Sequence, residues 1–477
     1  MLPIRLRRAV AALTLSLVSA TAAAACTDRL APADRPPDLP ARLPELVYDC
    51  LTLADGRALW VGETGRQHGT TVLLVHGLGH AAHRDWRRTI APLAARFHVV
   101  ALDLPGFGAS EALPDGHGFD GFDRTLDELV ARLGRHGRAH VVGHSLGGAV
   151  SLNFAHRHPD RVDRLVLVDV AGILLPNLYG LPPRVALPET GFPPVDRLMR
   201  RLDANLNGVS RGLAGRIDDR VDLVRWLRAN PAVRDALIGA STQVDAAIHL
   251  VAHDFGPAVR EVRAPTTLVW GRDDPVAPLR TGRLLAARMP QARLEVIHDT
   301  GHVPMLQAPA RFVERLMPAL EAPLEPRDVT VPGLDAPGVD TRCDAEVGTT
   351  YTGRLGRLAL VDCQGVVVRD ARLDALVLRN ASVVLDNVTV VSDGTALDAR
   401  NSHVVATNVD LTGRIALRAD DSMLDLAGAR LHASERGVAI GARSWLYFSI
   451  GEIDAPDHRG PVHLAWPTAA NLPPANR

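Results

Sequence analysis

The sequence predicts an α/β domain followed by an all-β domain. In the first two thirds of the chain, short apolar runs rich in β-branched residues alternate with amphipathic helical patterns. In the last third the helical period disappears, and similar segments recur about 20 residues apart, which is typical of a solenoid. The 477 residues also exceed what one hydrophobic core usually organises, so at least two domains are expected.

The N-terminal residues have the pattern of a secretory signal. Arg5, Arg7 and Arg8 precede an apolar run, and the small residues at 23–25 provide a cleavage site. We therefore assign residues 1–25 to a signal peptide and expect an exported protein, periplasmic or secreted. Cleavage would leave Cys26 at the mature N-terminus, where a lipid anchor is the alternative to soluble export. Residues 26–45 are rich in Pro and charge and are assigned to a linker.

Net charge and cysteine content indicate which partners and which cellular compartment to expect. A formal net charge of −1 provides no basic field, which argues against a nucleic-acid partner. The 4 cysteines fit two disulfide bonds in an exported chain. Proximity favours Cys26–Cys50 and Cys343–Cys363, although sequence alone allows three pairings. The oligomeric state is left open.

The α/β domain is assigned to residues 46–320. Its apolar runs read as strands at 71–77, 97–104, 138–144, 163–170 and 265–271, and helical patterns span 123–133 and 146–158. Continuous apolar strands joined by helices predict a parallel sheet covered on both faces. The alternation stops between about 172 and 257, where amphipathic spacing predicts a helical cap. Such an insertion would lie over the carboxyl ends of the strands, where open α/β sheets bind ligands.

A nucleophile motif lies between the third of these strands and the helix after it. The segment GHSLG, Gly143–Gly147, matches G-x-S-x-G in the strand–turn–helix context that this motif requires. The turn is sharp, so side chains beside Ser145 would collide with the neighbouring strand and helix. The amide of Leu146, at the helix N-terminus, would then point toward a developing oxyanion.

Three more motifs occupy neighbouring strand ends. HGLGH (76–80) ends the first strand and places the Leu78 amide as a second oxyanion donor. DLPGFGAS (103–110) follows the second strand. DTGHVPMLQAP (299–309) carries His302 on a loop. With these motifs in order, residues 46–320 resemble the α/β-hydrolase superfamily. The resemblance implies a serine hydrolase with its triad in the chain order Ser, Asp, His.

Two adjacent carboxylates compete for the triad acid. In the superfamily the acid commonly stands three residues after the Gly of a W-G-x-x-D pattern, and Trp270–Asp274 places Asp274 there. Successive side chains leaving a strand point in different directions, so Asp273 is expected to be a solvated neighbour. Asp169, at the end of an earlier strand, is the alternative because some relatives carry the acid at that position.

The resulting prediction is a carboxylic ester hydrolase. His302 takes the proton of Ser145, Asp274 orients His302, the amides of Leu78 and Leu146 bind the oxyanion, and water resolves the acyl-enzyme. No cofactor or metal is expected, since His76, His80, His83 and His144 lack a complete ligand spacing. A small acyl compound is the expected substrate. The alternatives are a C–C bond hydrolase of the meta-cleavage type and a vestigial core that carries a surface-binding solenoid.

The C-terminal region is assigned to a linker, residues 321–340, and a right-handed parallel β-helix, residues 341–477. Repeated segments begin at Leu358, Ala375, Ala396, Ala416 and Val438. Val366, Val383 and Val404 are aligned as equivalent, as are Cys363, Asn380 and Asn401. No single repeat can bury its apolar face, but stacked repeats bury a continuous column. Contact with glycan or the cell envelope is the expectation for this domain, against a purely structural role.

Overall fold

A computed structural model describes residues 43–114, 116–174, 242–323, 338–441 and 443–467. The N-terminal domain contains an eight-stranded sheet with the order β1-β2-β4-β3-β5-β6-β7-β8. Its strands are β1 Val47–Thr52, β2 Ala58–Thr64, β3 Thr71–Val75, β4 His98–Leu102, β5 Ala139–His144, β6 Val162–Val168, β7 Thr266–Gly271 and β8 Ala292–Ile297.

Helices cover this sheet and connect its strands. A 3-10 helix, Ala82–Trp86, precedes α1. The α-helices are α1 Ile90–Ala94, α2 Phe119–Leu133, α3 Leu146–Arg157, α4 Thr242–Ala252, α5 Gly256–Glu261, α6 Leu279–Arg288, α7 Pro304–Gln307 and α8 Pro309–Glu321. No helix within the described ranges is both long and apolar enough to cross a membrane.

The predicted parallel arrangement holds from β3 onward. Strands β3 to β8 pair in parallel, with β4 also beside β3. The first two strands differ, because β1 pairs antiparallel with β2, and β2 antiparallel with β4. The short turn between β1 and β2 permits only an antiparallel pair, since a parallel connection needs a crossover of a dozen or more residues. The carboxyl ends of the parallel strands therefore meet at one edge.

Most of the predicted cap lies outside the described residues. Its described parts are residues 172–174 at its start and residues 242–257 at its end, which contain α4 and the start of α5. Helix α4 is tied to the core through the buried Asp245, whose Oδ2 accepts the main-chain N–H of His117 at 2.6 Å and lies 3.2 Å from His117 Nδ1. The last turns of the cap region are thus fixed to the loop before α2.

The C-terminal domain is a parallel β-helix, as the sequence predicts. Its strands are β9 Val339–Asp344, β10 Thr350–Val361, β11 Val366–Leu373, β12 Ala375–Arg379, β13 Ser382–Val391, β14 Thr395–Arg400, β15 His403–Asp420, β16 Met423–Ala427, β17 Arg430–Ile440, β18 Trp445–Ala455 and β19 His458–Pro467. All neighbouring strands run parallel except β19, which pairs antiparallel with β18 at the C-terminal end.

Stacked aliphatic side chains form the interior of the β-helix. Five residues in successive coils pair in register and are buried: Leu358, Leu376, Leu397, Leu417 and Val438. The predicted equivalence of Val366, Val383 and Val404 is confirmed by the strand register. Each coil therefore completes its core only against its neighbours, as expected for a solenoid.

One part of the predicted alignment is wrong by a residue. Asn380 and Asn401 are equivalent to Asp362, not to Cys363: Asn380 Nδ2 donates to Asp362 Oδ1 at 2.7 Å, and Asn401 Nδ2 to Asn380 Oδ1 at 3.1 Å. All three residues have positive φ, at 58°, 51° and 47°. Asp and Asn tolerate this conformation because their short side chains bond locally. Cys363 is the next residue and faces the interior.

The disulfide predicted from proximity is present at the N-terminal end of the β-helix. Cys343 and Cys363 are bonded, with Cα atoms 6.5 Å apart, and both are fully buried. The bond joins β9 to the segment after β10 and so closes the first coil. Cys50 is also disulfide-bonded. Cys26, its predicted partner, lies outside the described residues.

Candidate active site

Ser145 lies in a strained turn between β5 and α3. Its φ of 52° is in the left-handed region, which non-glycine residues rarely adopt. A Cβ atom added to Gly143 would lie 2.4 Å from the Gly147 carbonyl oxygen, and one on Gly147 would lie 2.3 Å from the His76 carbonyl oxygen. Only glycine fits at either place, so the two glycines allow the chain to turn sharply and present the Ser145 hydroxyl above the sheet edge.

A hydrogen-bonded chain joins Ser145 to His302 and Asp274. His302 Nδ1 lies 2.7 Å from Asp274 Oδ2, and its Nε2 lies 2.9 Å from Ser145 Oγ. A carboxylate can only accept, so Nδ1 carries the proton and donates it. Nε2 of the neutral ring then accepts from the Ser145 hydroxyl. The arrangement can pass the Ser145 proton to His302 while Asp274 holds the ring in the required tautomer.

Asp274 is locked by its own main chain, whereas Asp273 faces away. Oδ1 of Asp274 accepts the N–H groups of Val276 and Ala277 at 2.7 and 3.0 Å, which leaves Oδ2 for His302. The Asp274 side chain is fully buried and Asp273 is exposed. The structure therefore brings Asp274, and not Asp273, to the histidine.

Asp169 is a second buried carboxyl group beside Asp274. It is fully buried, its φ is 44°, and its Oδ1 accepts the Gly271 N–H at 2.9 Å. Burial and the neighbouring Asp274 carboxylate raise the pKa of Asp169 well above its ordinary value of 3.8. Two adjacent buried carboxyl groups cannot both ionise readily. Asp169 therefore keeps its proton to a higher pH than an ordinary carboxyl group does, and its hydrogen bond with Gly271 supports the strand end that leads into the loop of Asp274.

Burial also sets the state of His302. It lowers the pKa of His302 below the ordinary 6.5; the hydrogen bond with Asp274 opposes this effect, and the nearby His144 reinforces it. The ring is thus neutral at neutral pH, the form that can accept a proton.

Asp85 and His144 form a supporting network that sequence reasoning did not identify. His144 Nε2 donates to the His302 carbonyl oxygen at 2.7 Å. Asp85 Oδ2 accepts the Gly77 N–H at 3.1 Å and lies 3.7 Å from His144 Nδ1. His144 and Asp85 thereby connect the loops of Ser145, His302 and the predicted oxyanion donor Leu78. The only sequence signal was the His of GHSLG, which is compatible with many packing roles.

The predicted oxyanion donors lie on the two loops that flank Ser145. Leu146 is the first residue of α3, and the first N–H groups of a helix have no acceptor within it. Leu78 follows β3, the strand beside β5. Both loops meet at the elbow, because the Gly147 position abuts the His76 carbonyl oxygen. Their amides remain the predicted oxyanion donors.

The histidines considered for a metal site serve separate contacts. His76 Nε2 accepts the Leu104 N–H at 2.9 Å, His83 Nδ1 bonds Asp103 Oδ1 at 2.7 Å, and His80 Nδ1 lies 3.4 Å from Gln243. Across the described ranges, no three or more His, Cys, Asp or Glu side chains are grouped so that they could hold a metal ion.

Comparison with known proteins shows the family. The model of the alpha/beta hydrolase family matches residues 72–315, and this chain belongs to that family. An uncharacterised protein of Mycobacterium tuberculosis is 31% identical over 271 residues, which cover 53% of this chain and 76% of the relative. A 2-hydroxy-6-oxo-6-phenylhexa-2,4-dienoate hydrolase of Burkholderia cepacia is 31% identical over 244 residues, 49% of this chain and 82% of that protein. Among solved structures, a thermophilic esterase from Thermogutta terrifontis is 25% identical with a TM-score of 0.39, covering 57% of this chain and 96% of the other.

The raised pKa of Asp169 predicts that its loss affects activity much less than the loss of Asp274 does. Asp169→Asn should keep most of the activity, because an amide reproduces a protonated carboxyl group in shape and charge. Asp274→Asn should lose roughly 10⁴-fold in kcat, because the imidazole loses its tautomer and counter-charge. Steady-state kinetics of the two purified variants would measure this.

Asp169→Ala is the matched control, since it leaves the buried Gly271 N–H without its acceptor at a cost of about 1–3 kcal/mol. Its thermal unfolding temperature should therefore fall, whereas that of Asp169→Asn should not. A loss in Asp169→Asn as large as in Asp274→Asn would make Asp169 the triad acid.

Proposed function

We propose that the protein is a serine hydrolase that cleaves carboxylic esters through an acyl-enzyme. The observation that carries the proposal is the continuous hydrogen-bonded chain from Ser145 Oγ through His302 to Asp274. Membership of the alpha/beta hydrolase family supports hydrolysis in general. The finer assignment to esters rests on the chemistry that this triad performs most directly, attack on an acyl carbon.

The mechanism follows from which atoms of Ser145, His302 and Asp274 carry a proton and which can accept one. As Ser145 Oγ bonds to the carbonyl carbon, its proton passes to His302 Nε2 across 2.9 Å. The resulting imidazolium is stabilised by Asp274, whose other oxygen is held by two main-chain amides. The amides of Leu78 and Leu146 would bind the oxyanion. His302 then protonates the leaving alkoxide, and the same base activates water to hydrolyse the acyl-enzyme.

C–C bond hydrolysis is the second candidate, and the Burkholderia cepacia relative favours it because its name describes a dienoate hydrolase. The same serine can attack a ketone carbonyl, but the carbon leaving group must depart as a stabilised enolate. Such a substrate needs a carbonyl group conjugated to the leaving carbon, so that the electron pair of the broken C–C bond is delocalised onto oxygen. An ester has no such requirement, since an alkoxide leaves readily once protonated.

The triad predicts labelling by a fluorophosphonate, because these probes react with an activated serine. The purified protein should be labelled and should hydrolyse at least one member of a panel of acyl esters. Ser145→Ala should lose both properties while it keeps the wild-type unfolding temperature. Gel fluorescence and ester turnover provide the two measurements.

A 2-hydroxy-6-oxo-dienoate belongs in the same panel as the discriminating substrate. Turnover of the dienoate at a higher kcat/KM than any ester would replace the ester assignment with C–C hydrolysis. Equal labelling of Ser145→Ala would show that another residue reacts, and an unlabelled, folded wild type would favour a vestigial core.

The buried histidine predicts the pH dependence of the reaction. Only neutral His302 can accept the Ser145 proton, so kcat/KM should fall on the acid side as His302 becomes protonated. Since burial lowers its pKa, the midpoint of this fall should lie below the ordinary value of 6.5. The pH profile of kcat/KM on the best ester would measure it, and a midpoint above 6.5 would contradict the proposed environment.

We also propose that the protein acts after export, in an oxidising compartment. The Cys343–Cys363 disulfide supports this, because stable disulfides are typical of exported proteins. Expression in a bacterial host should place the mature protein outside the cytoplasm, with residues 1–25 removed. Cell fractionation and the intact mass of the purified protein would measure both, and an added lipid mass at Cys26 would select the anchored alternative. Full-length protein in the cytoplasm would contradict the proposal.

A further inference from the structure

Helix α6 lies between the loop of Asp274 and the β-helix. Its first arginine, Arg280, reaches across the domain boundary: Nη1 donates to Asp425 Oδ2 at 2.5 Å, Nε to Thr407 Oγ1 at 3.2 Å and Nη2 to the Ala406 carbonyl oxygen at 3.1 Å. A single guanidinium thus bonds to two successive coils of the β-helix.

Two more arginines of α6 continue the same contact. Arg283 pairs with Asp386, and its carbonyl oxygen accepts the Asn408 side-chain N–H at 3.0 Å. Arg288 donates to the Gly428 carbonyl oxygen at 3.0 Å and to Asp410 at 3.2 Å. We call these three arginines and their partners the α6 interface. It follows α6 over its whole length and involves three coils of the β-helix.

The α6 interface is largely buried at Arg280 and Arg288 and half exposed at Arg283, and apolar residues lie beneath it. The side chains of Arg280 and Arg288 are only 20% and 12% exposed. Leu284 and Leu285, on the same helix, are fully buried and belong to one apolar cluster with Ala427 and Ile450 of the β-helix. Burial also lowers the pKa of Arg288. Desolvated charges of this kind need fixed partners, so the two domains are packed against each other rather than joined only by a tether.

The start of α6 is connected directly to the triad acid. Asp274 Oδ1 accepts the amides of Val276 and Ala277, and the Ala277 carbonyl oxygen accepts the Trp270 indole N–H at 2.8 Å. Helix α6 begins two residues later, at Leu279. A shift of α6 would therefore displace the very amides that orient the Asp274 carboxylate.

We propose that the β-helix is a fixed support that holds α6, and through it Asp274, in position, with Arg280, Arg283 and Arg288 as positioning residues. The statement about Asp274 rests on the proposed serine hydrolase function; the statement that the domains are docked does not. The alternative role, a mobile binding module, would leave the face of the β-helix that contacts α6 free for its ligand.

Docking is tested without reference to activity. A site-specific protease sequence is placed in the 324–337 segment of the full chain, and the purified protein is cut and passed through gel filtration. The two pieces should elute together at the position of the uncut protein. After the double change Arg280→Asp and Arg288→Asp they should separate. Separation of the cut wild type, or co-elution of the doubly changed protein, would overturn the proposal.

Positioning is tested by kinetics on the uncut chain. Asp425→Arg places two like charges together and should lower kcat at least about tenfold while KM changes little, because a misplaced acid affects the chemical step. The acid limb of the pH profile should also move to lower pH, since the Asp274 hydrogen bond raises the pKa of His302. If the contact were purely structural, the acid limb of the pH profile would not move. Any loss of kcat would then only match the loss of folded protein.

The reversed pair, Arg280→Asp with Asp425→Arg, should return kcat to within about threefold of the wild type, as expected for directly coupled residues. Glu435→Arg is the matched control, because it breaks the exposed Arg414–Glu435 pair of the same domain and should leave kcat unchanged.

If Asp425→Arg does not fold, Asp386→Asn provides a milder break of the α6 interface and should also lower kcat. An unchanged kcat and pH limb in a folded Asp425→Arg or Asp386→Asn would overturn positioning, and an unlabelled wild type would instead overturn the proposed function.

Discussion

The site depends on one constraint, the close packing of backbone at the turn that carries Ser145. A positive φ at a non-glycine residue costs on the order of 1–3 kcal/mol, so it persists only where the surroundings enforce it. Here β5, α3 and the loop after β3 enforce it, because Gly143 and Gly147 allow main-chain atoms to approach where any side chain would collide. The same approach brings the two predicted oxyanion loops together. The strain at Ser145 and the meeting of the two predicted oxyanion loops are therefore set by the same contacts.

Sequence patterns predicted the residues at the site but not the forces that hold them. Ser145, His302 and Asp274 could be found because each follows an apolar strand in a recognisable motif, and parallel strands place such residues at one edge. The raised pKa of Asp169 and the Asp85–His144 contact could not be found, because both arise from burial among residues distant in the chain. Asp169 was predicted only as an alternative acid, yet its place beside Asp274 raises its pKa, and it supports the strand end at Gly271.

In the β-helix, too, the sequence predicted one part of the structure and missed another. A repeat of aliphatic residues predicted the stacking, since an apolar face that recurs at a fixed interval can be buried only by its neighbours. Pattern alone placed Cys363 one residue away from its true equivalents, because the turn is defined by positive φ at Asp362, Asn380 and Asn401 rather than by residue type. Contact with glycan or envelope remains a prediction for the faces that α6 does not cover.

Helix α6 shows how the two folds of this chain are packed against each other. The family match spans residues 72–315, so α6 lies within the matched region while the β-helix lies outside it. Arginines on such a helix would ordinarily face water, where their ion pairs contribute little. Against the β-helix, Arg280 and Arg288 are largely desolvated and bonded to carboxylates and carbonyl oxygens, which makes their geometry specific. Because α6 starts where the Asp274 loop ends, the arginine face of α6 becomes part of what holds Asp274, the proposed triad acid.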